Sequence, residues 1–255
     1  MKRFSIFAWV IVALMSLSFY SCDPSSDNDD SSVTQMIIAK LTDSSISGGY
    51  LITGDGIKMK PTNFPLYSYS AGLYMFTCTY NPYEAVDNEL NITINSSDLV
   101  DITSPYGILP TSYVTDDNMP LYGVHVQRDY DLYPWMFDEQ YLIVPVCFWG
   151  VDVATQTEYD KELAKHRFVM CYEEPSASDT ELKLRLTDKV DEENPSFNRY
   201  TNYYENKAFD LANIINYFKS KTGSAPKKIS ISAKVNSRPE YEGASDETFT
   251  IDLNN

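Results

Sequence analysis

Residues 181–186, ELKLRL, alternate strictly, with Leu182, Leu184 and Leu186 on one side and Lys183 and Arg185 on the other. Successive side chains of a strand point to opposite faces, so this pattern needs a sheet with one dry face and one wet face. Residues 228–235, KISISAKV, repeat it with Ile229, Ile231, Ala233 and Val235. An apolar sheet face must be covered by a second layer, and the pattern predicts a β-sandwich. "LYGVHVQ", "EQYLIVPVCFWGVD", "HRFVMCYEE" and "ETFTIDL" supply further strands for it.

The stretch from Val33 to about Val100 has a different texture, with short strands and close turns. "TQMIIAKL" is an apolar strand, and "GLYMFTCTY" carries apolar residues on both faces. "ELNITINSS" alternates Leu90, Ile92 and Ile94 against polar neighbours. In "GYLITGDGIKMKP" the pair Asp55-Gly56 sits between two alternating runs, a hairpin signal because glycine tolerates positive φ. Several short strands in so few residues predict a small barrel. "SPYGILPTSYVTDDNMP" holds three prolines and no sustained period, so it reads as a connector. One stretch is helical: residues 208–223 space Phe209, Ile214, Tyr217 and Phe218 near the helical period and end on Lys219, Lys221 and Gly223. The expected fold is therefore mainly all-β, a small closed or half-closed barrel followed by a β-sandwich with one short helix.

The amino terminus addresses location. Lys2 and Arg3 precede an apolar run from Phe4 to Met15, the layout of an export signal. Ser21 and Cys22 follow, then Asp23, Asp27, Asp29 and Asp30 among serines. This arrangement resembles a bacterial lipoprotein signal, although Phe19 and Tyr20 stand where such signals usually carry Leu and a small residue. The resemblance implies cleavage after residue 21 and acylation of Cys22, which would hold the mature chain on a membrane, each buried methylene contributing about 0.8 kcal/mol. Residues 22–32 lack apolar side chains to bury beyond Cys22 itself and read as an acidic, Ser-rich tether. Acidic residues just after the cysteine are similar to an export tag of Bacteroidota-type lipoproteins. They imply an outer-membrane, surface-exposed protein rather than a cytoplasmic one.

Taken in order, "YLITGDGIKMKP", "YLIVPVCFWG", "KHRFVMCYEE", "TELKLRL" and "KAFDLANI" resemble the NigD-like lipoproteins. That resemblance implies a signal peptide at 1–21, a tether at 22–32, an OB-like barrel domain at 33–104, a connector at 105–119 and a sandwich domain at 120–255. The chain departs from the family after "LKLRL", where Thr187-Asp188 stands in place of a histidine. The family takes its name from a bacteriocin operon, which implies an immunity or accessory role.

Little in the chain speaks for catalysis. Only His125 and His166 are present, neither in a zinc-protease or GxSxG context, and His166 reads as a structural residue at a strand start. Cys78, Cys147 and Cys171 lie in apolar strands without ligand spacing, so no metal or other cofactor is expected. An export address permits a Cys147–Cys171 bridge, and free thiols are equally compatible. Asp116-Asp117 and Glu173-Glu174 read as solvated carboxylates. The net charge of −16 opposes nucleic-acid partners. One segment stands out: Tyr130, Tyr133, Trp135, Phe137 and Tyr141 crowd residues 128–141 among charges, as a ligand platform or as interdomain packing. The expectation is a non-catalytic, lipid-anchored envelope protein with a protein or glycan partner; the alternative is an envelope hydrolase acting on glycan or peptide.

Overall fold

The computed structural model describes residues 31–42, 49–96, 99–113, 117–127 and 131–253. The export signal, Cys22 and Tyr130 lie outside these. The chain divides into two compact units, Met1–Ile102 and Thr103–Asn255.

The first unit holds β1 (Val33–Leu41), β2 (Leu51–Ile52), β3 (Lys58–Pro61), β4 (Gly72–Tyr80), β5 (Glu89–Ile94) and β6 (Val100–Asp101). Its pairing order is β1-β2-β3-β5-β4, and β4 returns to β1, which closes a five-stranded OB-like barrel. The β2–β3 turn forms at Asp55-Gly56 as the sequence predicts. Gly56 adopts φ +87°, its amide donates to the Thr53 carbonyl (2.9 Å), and the Thr53 amide donates to the Ile57 carbonyl (3.0 Å). Tyr74, Phe76 and Cys78 of β4 point inward with Leu90, Ile92 and Ile94 of β5. Each set is one alternate face of its strand.

The second unit contains β7 (Leu109–Pro110), β8 (Val126–Gln127), β9 (Asp131–Leu132), β10 (Trp135–Met136), β11 (Tyr141–Gly150), β12 (His166–Tyr172), β13 (Glu181–Val190), β14 (Thr201–Asp210), β15 (Lys228–Val235) and β16 (Ser245–Asp252). One sheet runs β10-β11-β14 and the other β16-β15-β13-β12-β7; β8 and β9 make a small hairpin. Leu142, Val144, Val146 and Phe148 of β11 share a core with Phe168, Met170, Leu182, Leu184, Leu186, Ile229 and Ile231. Every residue of β11 is buried, which explains its unbroken apolar sequence. Leu109 and Pro110, in a stretch without sustained periodicity, add a parallel edge strand beside β12.

Among the described residues two α-helices are present where the sequence predicts one. The expected helix spans Ala212–Thr222, labelled α2, and ends on Gly223 in the left-handed conformation, φ +83°. It starts four residues later than the periodicity predicts, because residues 208–210 pair with β11 (Phe209 opposite Leu142, Asp210 opposite Tyr141). Burial of Phe209 in the sheet outweighs its helical spacing. The other helix, α1 (Gln156–Leu163), is capped by Thr155 and Glu158, each bonded to the other's backbone amide. That T-x-x-E signature is legible in the sequence, although the helix it opens has no long apolar period to announce it.

Candidate functional site

Alternation along β13 does not stop at Leu186. Two residues on, Asp188 falls on the same dry face and is completely buried. A carboxylate there needs partners, and β12 supplies one: His166 Nδ1 lies 2.8 Å from Asp188 Oδ2, with both side chains fully enclosed. His166 is also sandwiched between Phe148 (4.7 Å between centroids) and Phe168 (5.7 Å, nearly parallel). Glu162 from the last turn of α1 brings Oε1 to 3.7 Å from His166 Nε2, and Arg199 Nε reaches the same oxygen at 2.7 Å. Arg199, fully buried, also contacts Glu192 (2.7 Å) and donates to the Pro195 carbonyl (2.6 Å). Lys165 bridges Glu162 (3.1 Å) and Glu192 (2.8 Å). His166 thus makes a buried hydrogen bond at a strand start, within a larger network than the sequence suggests.

Burial and charge act on this cluster in opposite senses. Burial pushes the His166 pKa down, but Asp188 and Glu162 more than offset that and raise it. Burial also raises Asp188, against the pull of His166 and Arg199. The two groups titrate as a pair, and the direction that the geometry supports is a raised His166, whose charged form has Asp188 Oδ2 2.8 Å away. Glu162, although buried, is held well below the usual carboxylate range by His166, Lys165, the Val151 amide and Arg199. A pair that binds its proton more tightly when folded contributes stability that is complete below the ordinary histidine value of about 6.5 and is lost as pH rises through the folded value. Glu162 has the opposite sign, and its contribution is lost as pH falls. We therefore expect thermal stability to decline on the alkaline side, measured as Tm from pH 6 to 9. His166→Gln, which cannot titrate, should flatten that limb; an unchanged decline in the variant would rule the pair out as its source.

His166, Asp188, Glu162 and Arg199 are buried, while Lys165 and Glu192 at the rim of the cluster meet solvent. The wet face of the same sheet is open. Cys171, Arg185, Ser232 and Thr248 lie in one row across β12, β13, β15 and β16. With Thr187, Thr111, Glu173, Asp246, Asp117 and Tyr241 they line a groove of about 780 Å³. At its centre the Tyr241 hydroxyl donates to Asp117 Oδ2 (2.8 Å), and Arg185 Nη2 lies 3.5 Å from the same oxygen. Asp117 is only 12% exposed; burial raises its pKa despite those two partners. Burial and Asp117 together push the Tyr241 phenol up to about 12. The other two carboxylates are also matched, Glu173 with Lys183 (3.6 Å) and Asp246 with Lys234 (3.0 Å).

The groove gathers residues 111 to 248 from five segments, so no local motif marks it; the one legible signal is the polar half of each alternating strand. Asp117 and Glu173, which read as solvated carboxylates, belong to it. Cys171 lines it as a thiol whose pKa burial pushes up to about 11, which leaves it protonated and unreactive. Cys78, Cys147 and Cys171 are all free. Among the described residues no cluster of three or more His, Cys, Asp or Glu is arranged to hold a metal ion.

The aromatic segment lies apart from the groove. Tyr133 stacks on His125 (5.8 Å) and on Phe249 of β16 (5.4 Å), while His125 Nδ1 is 2.9 Å from Glu247. Trp135 is paired opposite Ile143. The Phe137 amide donates to the Tyr141 carbonyl (2.8 Å), and Tyr141 is buried at the start of β11.

No protein-family model matches the chain, and neither does any curated protein. Solved structures do. A candidate lipoprotein of Bacteroides fragilis is 22% identical, with 88% of this chain and 99% of that one covered, at a TM-score of 0.76. A Bacteroides vulgatus protein of unknown function matches at 15% identity, 87% and 91% coverage and TM-score 0.53. A candidate toxin-related protein of Parabacteroides distasonis matches at 14%, 87%, 95% and 0.51. At these identities the likeness establishes a shared fold. No helix among the described residues is long and apolar enough to cross a membrane.

Proposed function

We propose that this chain is a NigD-like lipoprotein, acylated at Cys22, exposed on the outer membrane, and that it acts as a non-catalytic binding or accessory protein, with an immunity-type role as one form of this. The observation that carries the binding part is the open polar groove on the wet face of β12, β13, β15 and β16. Its three carboxylates are each matched to a cation, which suits recognition of a polar ligand better than proton transfer. The anchoring part draws on the export signal and the acidic run after Cys22, and on the fold shared with the B. fragilis candidate lipoprotein. Nucleic acid is a poor partner for a chain of net charge −16.

The competing reading, an envelope hydrolase, draws on one observation. Burial raises the pKa of Asp117, the property a general acid needs. It lacks a free second carboxylate beside it, and the Cys171 thiol is not an activated nucleophile.

Anchoring is tested by metabolic labelling with a palmitate analogue. Wild type should be labelled and retained in the membrane fraction, while Cys22→Ala should lose the label and be released. Undiminished labelling of Cys22→Ala would remove the anchor from this account.

A further inference from the structure

The sheet β16-β15-β13-β12-β7 has two edges, and they are built differently. β7 is two residues long, and one of them, Pro110, has no N–H to give, so this edge offers a further strand little. β16 is eight residues long, Ser245–Asp252, and contains no proline, glycine or lysine. Its register against β15 runs unbroken from Lys228 opposite Asp252 to Val235 opposite Ser245. Proline, lysine and bulges are the common devices that blunt an edge, and β16 has none of the three.

The antiparallel ladder decides which backbone groups are left over. The Leu253 amide donates to the Lys227 carbonyl (2.9 Å), its opposite number when the register is continued by one pair. Bonded and non-bonded pairs alternate from there, so Ile251, Phe249 and Glu247 bond β15. The N–H and C=O groups of Asp246, Thr248, Thr250 and Asp252 then point outward from the sheet edge. Among the described residues no hydrogen bond takes up these backbone groups, and all four residues are exposed. On the dry side Phe249 and Ile251 are only half-buried, with Tyr133 stacked on Phe249, so apolar surface reaches the rim.

Charge selects the occupant. Asp246 and Asp252 stand at the two ends of the outward row, 55% and 66% exposed. Each has one lysine on its β15 flank, Lys234 at 3.0 Å and Lys228 at 3.4 Å, and its other flank lies along the open edge. A second copy paired in full antiparallel register would set Asp246 opposite Asp252 of the other copy, twice over. Like charges directly opposite are destabilising. A strand with lysine or arginine at those two positions instead completes a cation–carboxylate–cation row at each end.

We propose that the free edge of β16 takes up an extended, basic segment of a partner protein as an added β-strand. The outward N–H and C=O groups supply the main-chain bonds, and the two aspartates favour cations six residues apart. Apolar side chains on the alternate positions cover Phe249 and Ile251. Asp246 and Thr248 also wall the groove, but the edge is a separate surface and does not depend on a ligand there.

The test is amide hydrogen exchange of the full-length chain followed by ¹H–¹⁵N NMR, alone and with the end-blocked peptide KVTVTVK. Without peptide, the amides of Asp246, Thr248, Thr250 and Asp252 should exchange freely while those of Phe249 and Ile251 are protected. KVTVTVK should slow the four outward amides by about tenfold or more, less so as salt rises, and the acidic EVTVTVE should not. Thr250→Pro removes one outward N–H and no bond to β15, so it should weaken the peptide by about tenfold or more with circular dichroism and Tm unchanged. Should that variant fold poorly, the exchange pattern of the wild-type chain decides alone. Protection of the four amides that rises with protein concentration in the absence of peptide would make a second copy the occupant and overturn the proposal. It is equally overturned if KVTVTVK leaves those amides exchanging freely. Binding that survives in a folded Thr250→Pro chain but is lost in Arg185→Ala would place the peptide in the groove, and the edge would not be the site.

Discussion

Asp188→Ala is expected to lower the unfolding free energy of the C-terminal unit by about 3–5 kcal/mol, the loss typical when one partner of a buried ion pair is removed. The physical cause is local. The substitution leaves His166 between two phenylalanine rings with its Nδ1 partner gone, and a cavity where the carboxylate was. Desolvation of the imidazole then goes uncompensated. Asp188→Asn should cost less, because its carbonyl oxygen still accepts from Nδ1–H. The loss is read from urea unfolding followed by the fluorescence of Trp135 and Trp149, both in this unit. A change below about 0.5 kcal/mol, the size of an ordinary surface substitution, would mean that Asp188 is not part of a coupled pair.

The second large effect is expected at Arg199. It is an arginine with no exposed surface, held by Glu162 and Glu192 and by the Pro195 carbonyl. Arg199→Ala strands the buried Glu162 without its guanidinium and unties the loop over residues 191–200, in which Asn198 already adopts φ +62°. A stability loss of about 3–5 kcal/mol is expected on the same grounds. It should be accompanied by proteolytic cleavage within that loop at enzyme concentrations that leave wild type intact. Arg199→Lys keeps a charge but not the planar fork that serves Glu162 and Glu192 together, and its loss should be intermediate. A loop that stays resistant in Arg199→Ala would show that the anchor lies elsewhere.

These two residues also mark the boundary between what the sequence discloses and what it conceals. The alternation of ELKLRL fixes which face is dry, and continuing it by two positions places Asp188 inside; that inference needs no structure. Its partner is another matter. His166 precedes Asp188 by 22 residues and meets it only through the register that sets Phe168 opposite Asp188 and His166 opposite Val190. Arg199 comes from an irregular loop with no period. The Asp55-Gly56 turn and Gly223 are visible because a positive φ is a local demand that only a few residues meet. The start of α2 is not, because Ala208, Phe209 and Asp210 suit a helix locally and are claimed by a strand through non-local pairing. The groove is the least legible feature. Its members are ordinary polar residues on the wet sides of strands, and only the strand order β16-β15-β13-β12 brings Thr248, Ser232, Arg185 and Cys171 into one row.

The central claim, that function resides on that wet face and not in the buried histidine cluster, is tested most directly by mapping a bound ligand. In a ¹H–¹⁵N spectrum of the full-length chain titrated with soluble envelope glycan fragments, shifts should concentrate at Asp117, Cys171, Glu173, Ser232 and Tyr241 and along residues 185–187 and 246–248, with His166 and Glu162 unmoved. Shifts centred on the barrel strands or on residues 131–141, with the wet face silent, would contradict it.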